Sequence, residues 1–165
     1  MTDTETLRRE LASAFANRAD LYRLMLAALT RELGRERAET LMTEVLEERG
    51  REVAAQLFRD MTPDPQAIAD RFLSVSPDGG RLYPNAVERG EGFCTIRVHS
   101  CPLKTAWVEA GLDDGEIADL CRLAGAFDKG LFEAAGVRFA NQTWTRERGG
   151  GCCWITLGEG GESVA

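Results

Sequence analysis

The sequence predicts an α+β fold: N-terminal helices, then a small antiparallel sheet packed around one long helix of the C-terminal half. Three observations carry this. Apolar residues recur at helical spacing over about 7–58, residues 93–98 alternate as a strand does, and a glycine-rich connection at 147–151 joins two late apolar runs. Helices first and sheet elements afterwards make α+β rather than a repeated βαβ pattern.

Leu7, Leu11 and Phe15, followed by Leu21, Leu24, Met25, Ala28 and Leu29, mark two or three helices punctuated by Gly34 and Gly50, each expected as a left-handed C-terminal position. Thr62-Pro63-Asp64-Pro65 breaks the pattern and starts a short helix to about Leu73. Residues 74–92, with two prolines and four glycines, read as a loop carrying at most a short strand near Leu82-Tyr83. In Phe93–Val98, Cys94, Ile96 and Val98 share one face, and Ser100-Cys101-Pro102 then turns the chain into a helix. The long helix runs from Asp113 or Asp114 to about Ala135 and closes at Gly136; strands over 138–146 and 152–157 complete the fold, with a frayed tail from Gly158. The expected organisation is a single domain over 1–165, comprising a helical half (1–73), a loop (74–92), a strand-helix-hairpin half (93–158) and a tail (159–165).

Composition narrows the function classes. Hydrophobic content of 44% and charged content of 28% suit a globular chain, and no apolar run approaches the roughly 20 residues that cross a bilayer. The acidic, polar start is unlike a signal peptide, so a cytoplasmic location is expected. A net charge of −7 without a basic block argues against nucleic acid as a partner. The expected partner is a small molecule, with a homodimer or an operon-encoded protein as further candidates, and no membrane association. Five cysteines, an odd count, do not read as a disulfide framework, and their spacings lack a CxxC pair, so neither a metal nor a cofactor is expected.

The chemistry-bearing residues cluster late in the chain. Asp128 falls within the apolar stripe of the long helix, where a carboxylate needs a cation, a hydrogen-bond network or a raised pKa. Cys121 lies two turns earlier on that stripe; alone, it reads as a small core residue. Cys101 sits at a helix N-terminus, where amides and the helix dipole favour the thiolate. His99, the sole histidine, lies two residues upstream as a base, a sensor or a surface group. Cys152 and Cys153 point to opposite faces if the strand alternates, and the pattern leaves open which of them lines a pocket.

The series Val98-His99-Ser100-Cys101-Pro102-Leu103, Ala106-Trp107, Ala110-Gly111-Leu112, Leu120-Cys121, Asp128 and Gly151-Cys152 followed by Trp154 resembles the L-2-amino-thiazoline-4-carboxylic acid hydrolase family, as does Leu21–Leu26 near the start. The resemblance implies a hydrolase-like enzyme that opens a small cyclic amidine or thiazoline to an N-carbamoyl amino acid, written as a C–N bond hydrolase. For such a hydrolysis Cys101, Asp128 and Cys152 are expected as catalytic residues, Cys101 as the attacking thiolate and Asp128 as the proton-transferring carboxylate, with Cys152 and Cys121 lining the pocket and His99, Cys121, Trp144 and Arg146 contacting substrate; Arg146 or Arg97 would clamp a carboxylate. Cys153 stands where the family pattern leads one to expect an acidic residue, a departure that points to a different substrate. The Gly-Cys-aromatic strand also resembles vinyl-reductase-type ligand-binding domains, so a non-catalytic binding or sensing module is the alternative, and an accessory subunit of a biosynthetic enzyme a third reading.

Overall fold

The structure, a computed structural model, describes residues 3–149 and 151–160. Helices α1 (Asp3–Leu33) and α2 (Arg35–Leu57) are separated by Gly34 at φ +81°, and α3 spans Pro65–Ser74. A short 3-10 turn at Pro77–Gly80 leads to strands β1 (Asn85–Gly90) and β2 (Phe93–Val98). Helices α4 (Pro102–Glu109) and α5 (Asp114–Ala134) follow, then β3 (Arg138–Gln142) and β4 (Cys153–Gly158). The sheet is antiparallel throughout in the order β1-β2-β4-β3. This is the α+β architecture read from the sequence, with α4 joining the long α5 in the C-terminal half.

The strongest start signals hold α3 and α5 in place. Asp64 caps α3 by accepting from Ala67 N at 2.7 Å, with Pro65 in the first turn. Asp113 and Glu116 form a reciprocal capping box at the start of α5, satisfying two amides that the helix itself cannot.

Three expectations are corrected. Gly50 ends no helix: it lies inside α2 and faces Gly130 of α5. A Cβ on Gly50 would lie 2.2 Å from Phe127 O, and one on Gly130 would lie 2.0 Å from Glu47 O, so the pair is there to let two backbones touch. The 74–92 segment holds a six-residue strand, β1, which was illegible because this edge strand alternates only weakly between half-buried and exposed positions. β3 stops at Gln142 rather than continuing to Arg146. Residues 161–165 of the expected tail lie outside the described residues.

Two apolar clusters result. One gathers Phe58, Ile68, Ile96, Leu131, Phe132 and Leu157 where α2, α3 and α5 meet the sheet; the other gathers Leu26, Met42, Leu103, Trp107, Leu120 and Leu123 among α1, α2, α4 and α5. Trp107 is 1% exposed and donates its Nε1–H to Ala19 O at 2.9 Å, joining α4 to α1. Cys101 and Phe127 touch both clusters, and the space between the clusters is where the site lies. Among the described residues no helix is long and apolar enough to cross a membrane.

Candidate functional site

Cys101 occupies the N-cap of α4 in an extended conformation (φ −135°, ψ 127°), because β2 has just ended at Val98 and Pro102 starts the helix. Its sulfur forms no cap hydrogen bond, although the Leu103 and Lys104 amides favour its thiolate. A stronger influence acts in the other direction: donation of its S–H to Cys152, together with burial, pushes the Cys101 thiol up.

Cys152 reaches the same place from the far end of the chain. Gly151, at φ +81°, makes a turn that a side chain would strain, since a Cβ there would lie 3.1 Å from Val98 O. The turn lets Cys152 N donate to Val98 O at 2.8 Å just before β4 begins. Strand alternation therefore applies from Cys153 onward, with Ile155 and Leu157 inward and Trp154 outward under Arg97 and Arg148. Cys152 lies outside the alternating segment, so both neighbouring cysteines line one cavity.

Cys121, on α5, completes a cluster of four free thiols. Cys152 is its acceptor: S–H groups from Cys101, Cys121 and Cys153 converge on it and hold it well below the ordinary thiol range, with Lys104 adding positive charge. The same contacts, with burial, push Cys121 and Cys153 up. Among the described residues no group of three or more His, Cys, Asp or Glu side chains is arranged to hold a metal ion.

Asp128 lies two turns beyond Cys121 on α5 and lines the same cavity. Burial pushes its carboxyl up to about 7; the Arg18 charge opposes this and the Cys152 charge reinforces it. Asp128 is half-buried. No salt bridge involves Asp128 among the described residues.

The cavity has a volume of about 330 Å³. Arg18, on α1, projects into it and donates to Tyr22 Oη at 3.0 and 3.2 Å, its guanidinium 5.9 Å from the Phe127 ring centroid. Trp144 lines the cavity with Lys104 Nζ 4.5 Å from its ring centroid. Tyr83 also lines the wall; burial raises its pKa well above the ordinary phenol range, so it enters as a neutral hydroxyl. Asn141 stands opposite Gly125, where a Cβ would meet its Nδ2 at 2.8 Å, and its buried Oδ1 has no partner among the described residues.

Of the residues singled out in the sequence, Cys101, Cys121, Asp128, Trp144 and Cys152 line this cavity. His99 and Arg146 do not. His99 is exposed beside a separate shallow depression shared with Ser100 and Lys104, because it sits past the end of β2 with its amide bonded to Pro84 O. Arg146 lies on the surface, its side chain 78% exposed and paired with Asp114. Arg97 is on the outer sheet face, paired with Glu88 at 2.5 Å and 4.7 Å from the Trp154 ring centroid. The cation at the cavity wall that sequence reasoning did not single out is Arg18, which remains partly open to solvent. Its signal was present: Leu11, Phe15, Arg18 and Tyr22 share one face of α1, placing a charge in an apolar stripe just as Asp128 is placed in α5.

The family model described as L-2-amino-thiazoline-4-carboxylic acid hydrolase matches residues 14–156. No curated protein matches the chain. By that match, which takes in all four cavity cysteines, Asp128 and Arg18, the chain belongs to the L-2-amino-thiazoline-4-carboxylic acid hydrolase family.

Proposed function

From membership in this family we propose that the chain hydrolyses a small cyclic amidine of the 2-amino-thiazoline-4-carboxylate type inside the 330 Å³ cavity. The observation that carries the reading is that Cys152 and Asp128 line one cavity, with neighbouring S–H groups holding the thiol of the first below its ordinary range and burial pushing the carboxyl of the second up to about 7.

In this reading the Arg18 guanidinium receives the substrate carboxylate, and Trp144 and Trp107 flank the ring. The Cys152 thiolate adds to the amidine carbon while protonated Asp128 gives its proton to the ring nitrogen. The ring C–S bond then breaks and its sulfur leaves as a thiol, taking a proton from a neighbouring cysteine S–H. The carbon is left bound to Cys152 as an S-linked isothiouronium. Water adds to it, Asp128 takes one of the water's protons, Cys152 leaves as the thiolate, and the remaining hydroxyl proton returns to the cysteine that protonated the departing sulfur, giving an N-carbamoyl amino acid. Such a product keeps the ring nitrogen on the carbonyl carbon, so the ring bond broken is C–S rather than C–N. In this scheme Cys101 tunes the nucleophile instead of being it, because it donates to Cys152.

Incubation with L-2-amino-thiazoline-4-carboxylate, followed by mass spectrometry, is expected to give a product heavier by one water, with conversion lost in Cys152→Ala and Asp128→Asn. No conversion by the unsubstituted protein, or undiminished conversion in both folded variants, overturns the reading. The largely apolar cavity wall favours a second reading, a non-catalytic binding domain, to which tight binding without turnover would point.

A further inference from the structure

Beyond the reacting ring, we propose that the ligand is amphiphilic: a polar cyclic head faces Cys152, Asp128 and Arg18, and an apolar substituent fills a recess walled by Val53, Leu57, Phe72 and Leu73. This names the substrate class for the site proposed above and rests on that reading for the identity of the head.

The cavity wall is chemically uneven. Cys121 and Trp144 pack with the cluster around Trp107 and Leu120, whereas Val53, Leu57, Phe72 and Leu73 pack with the cluster around Leu131 and Phe132, to which Cys152 and Cys153 also belong, so the thiols border a hydrocarbon wall that carries no polar side chain of its own. All eight line the same cavity, so it runs from one core into the other, with Asp128 on the α5 turn between Cys121 and Leu131.

A carboxylated aminothiazoline is one five-membered ring with two small polar substituents, and every group it presents has a counterpart at the sulfur and carboxylate end. Cavities of about 300–1,000 Å³ accommodate ligands of drug size, and 330 Å³ falls in that range. The walls of the recess offer hydrocarbon and give any water there few polar partners. A bare ring would leave that end empty, whereas an alkyl or aryl substituent would remove its own apolar surface from water there. The recess also has an outlet. Val75 lines the cavity yet is 48% exposed, and with Ser76 and Pro77 it forms a rim past the end of α3 through which a longer substituent would pass.

Cyclic guanidines, which have no ring C–S bond to break, test binding separately from turnover. The probes are 2-amino-imidazoline-4-carboxylate and its 2-hexylamino analogue, measured by calorimetry on the full chain. Each buried methylene is worth about fourfold in affinity before ordering costs, so a hexyl preference of at least about tenfold is expected. Val53→Phe, which fills the recess, and Val75→Lys, which places a charge at its rim, should each reduce that ratio to below about threefold. Val75→Lys guards against misfolding because the position is already half exposed. A ratio that collapses in either folded variant supports the recess even if no thiazoline is hydrolysed. A hexyl ratio near unity in the unsubstituted protein, or one that persists in both folded variants, overturns it even if thiazoline is turned over.

Discussion

Gly50 and Gly130 bring the backbones of α2 and α5 into contact, and a Cβ at either position would fall within about 2.2 Å of a carbonyl oxygen on the other helix. The crossing sets the height of α5 in the fold, and Asp128 lies two residues before Gly130. Gly130→Ala is therefore expected to force the helices apart and cost about 2–4 kcal/mol, in the range of severe overpacking. Urea unfolding should show a lower midpoint, while Gly34→Ala, with open space around the added methyl but φ +81°, should cost about 1 kcal/mol.

Asp128 binds its proton more tightly in the folded chain than in the unfolded one, its carboxyl having moved from an ordinary 3.8 to about 7. The contribution to stability is therefore fully present below about pH 4 and is lost as pH rises through about 7. Asp128→Asn should leave the melting temperature nearly unchanged at pH 4 and raise it at pH 8, by the equivalent of about 1–3 kcal/mol. Equal shifts at both pH values would contradict the burial of this carboxyl. Where Asp128 acts as the proton donor, turnover should also fall as pH rises above about 7.

Cys152 is expected to react with iodoacetamide at pH 6 well ahead of the other four cysteines, identified by peptide mapping. Cys101→Ala removes one S–H donor, so the pH midpoint of Cys152 alkylation should move upward and its rate at pH 6 fall about tenfold. An unchanged midpoint would mean that the sulfur cluster does not tune its central member.

Arg18→Gln should raise KM for a carboxylated substrate about 10- to 100-fold with a smaller change in kcat, because a carboxylate clamp binds ground state and transition state alike. Arg18→Lys should recover only part of the loss, since a lysine lacks the planar fork. The corresponding change at Arg146, which is paired with Asp114 on the surface, should alter KM by less than about threefold.

Helices α3 and α5 and strand β2 were legible because each announces itself locally, through caps, prolines and apolar periodicity. Gly50 and β1 were not. A glycine at a helix crossing and a glycine at a helix end look alike until the opposing helix is present, and an edge strand half in solvent needs little alternation. Within the site, a charged residue in an apolar stripe was the informative pattern; it applied to Asp128 and, unnoticed, to Arg18. The inward turn of Cys152 depends on a backbone dihedral at Gly151, and the surface positions of His99 and Arg146 depend on where strands stop. Neither is encoded in local spacing.

The bond from Trp107 Nε1 to Ala19 O has an effect reaching beyond the core in which it is buried. Ala19 directly follows Arg18, and Trp107 lies on the helix that Cys101 begins. Any sliding of the first helix would carry its cation and the corner bearing Cys101 along together, so thermal motion should widen or narrow the chamber with little change in the offset between its positive charge and that one thiol.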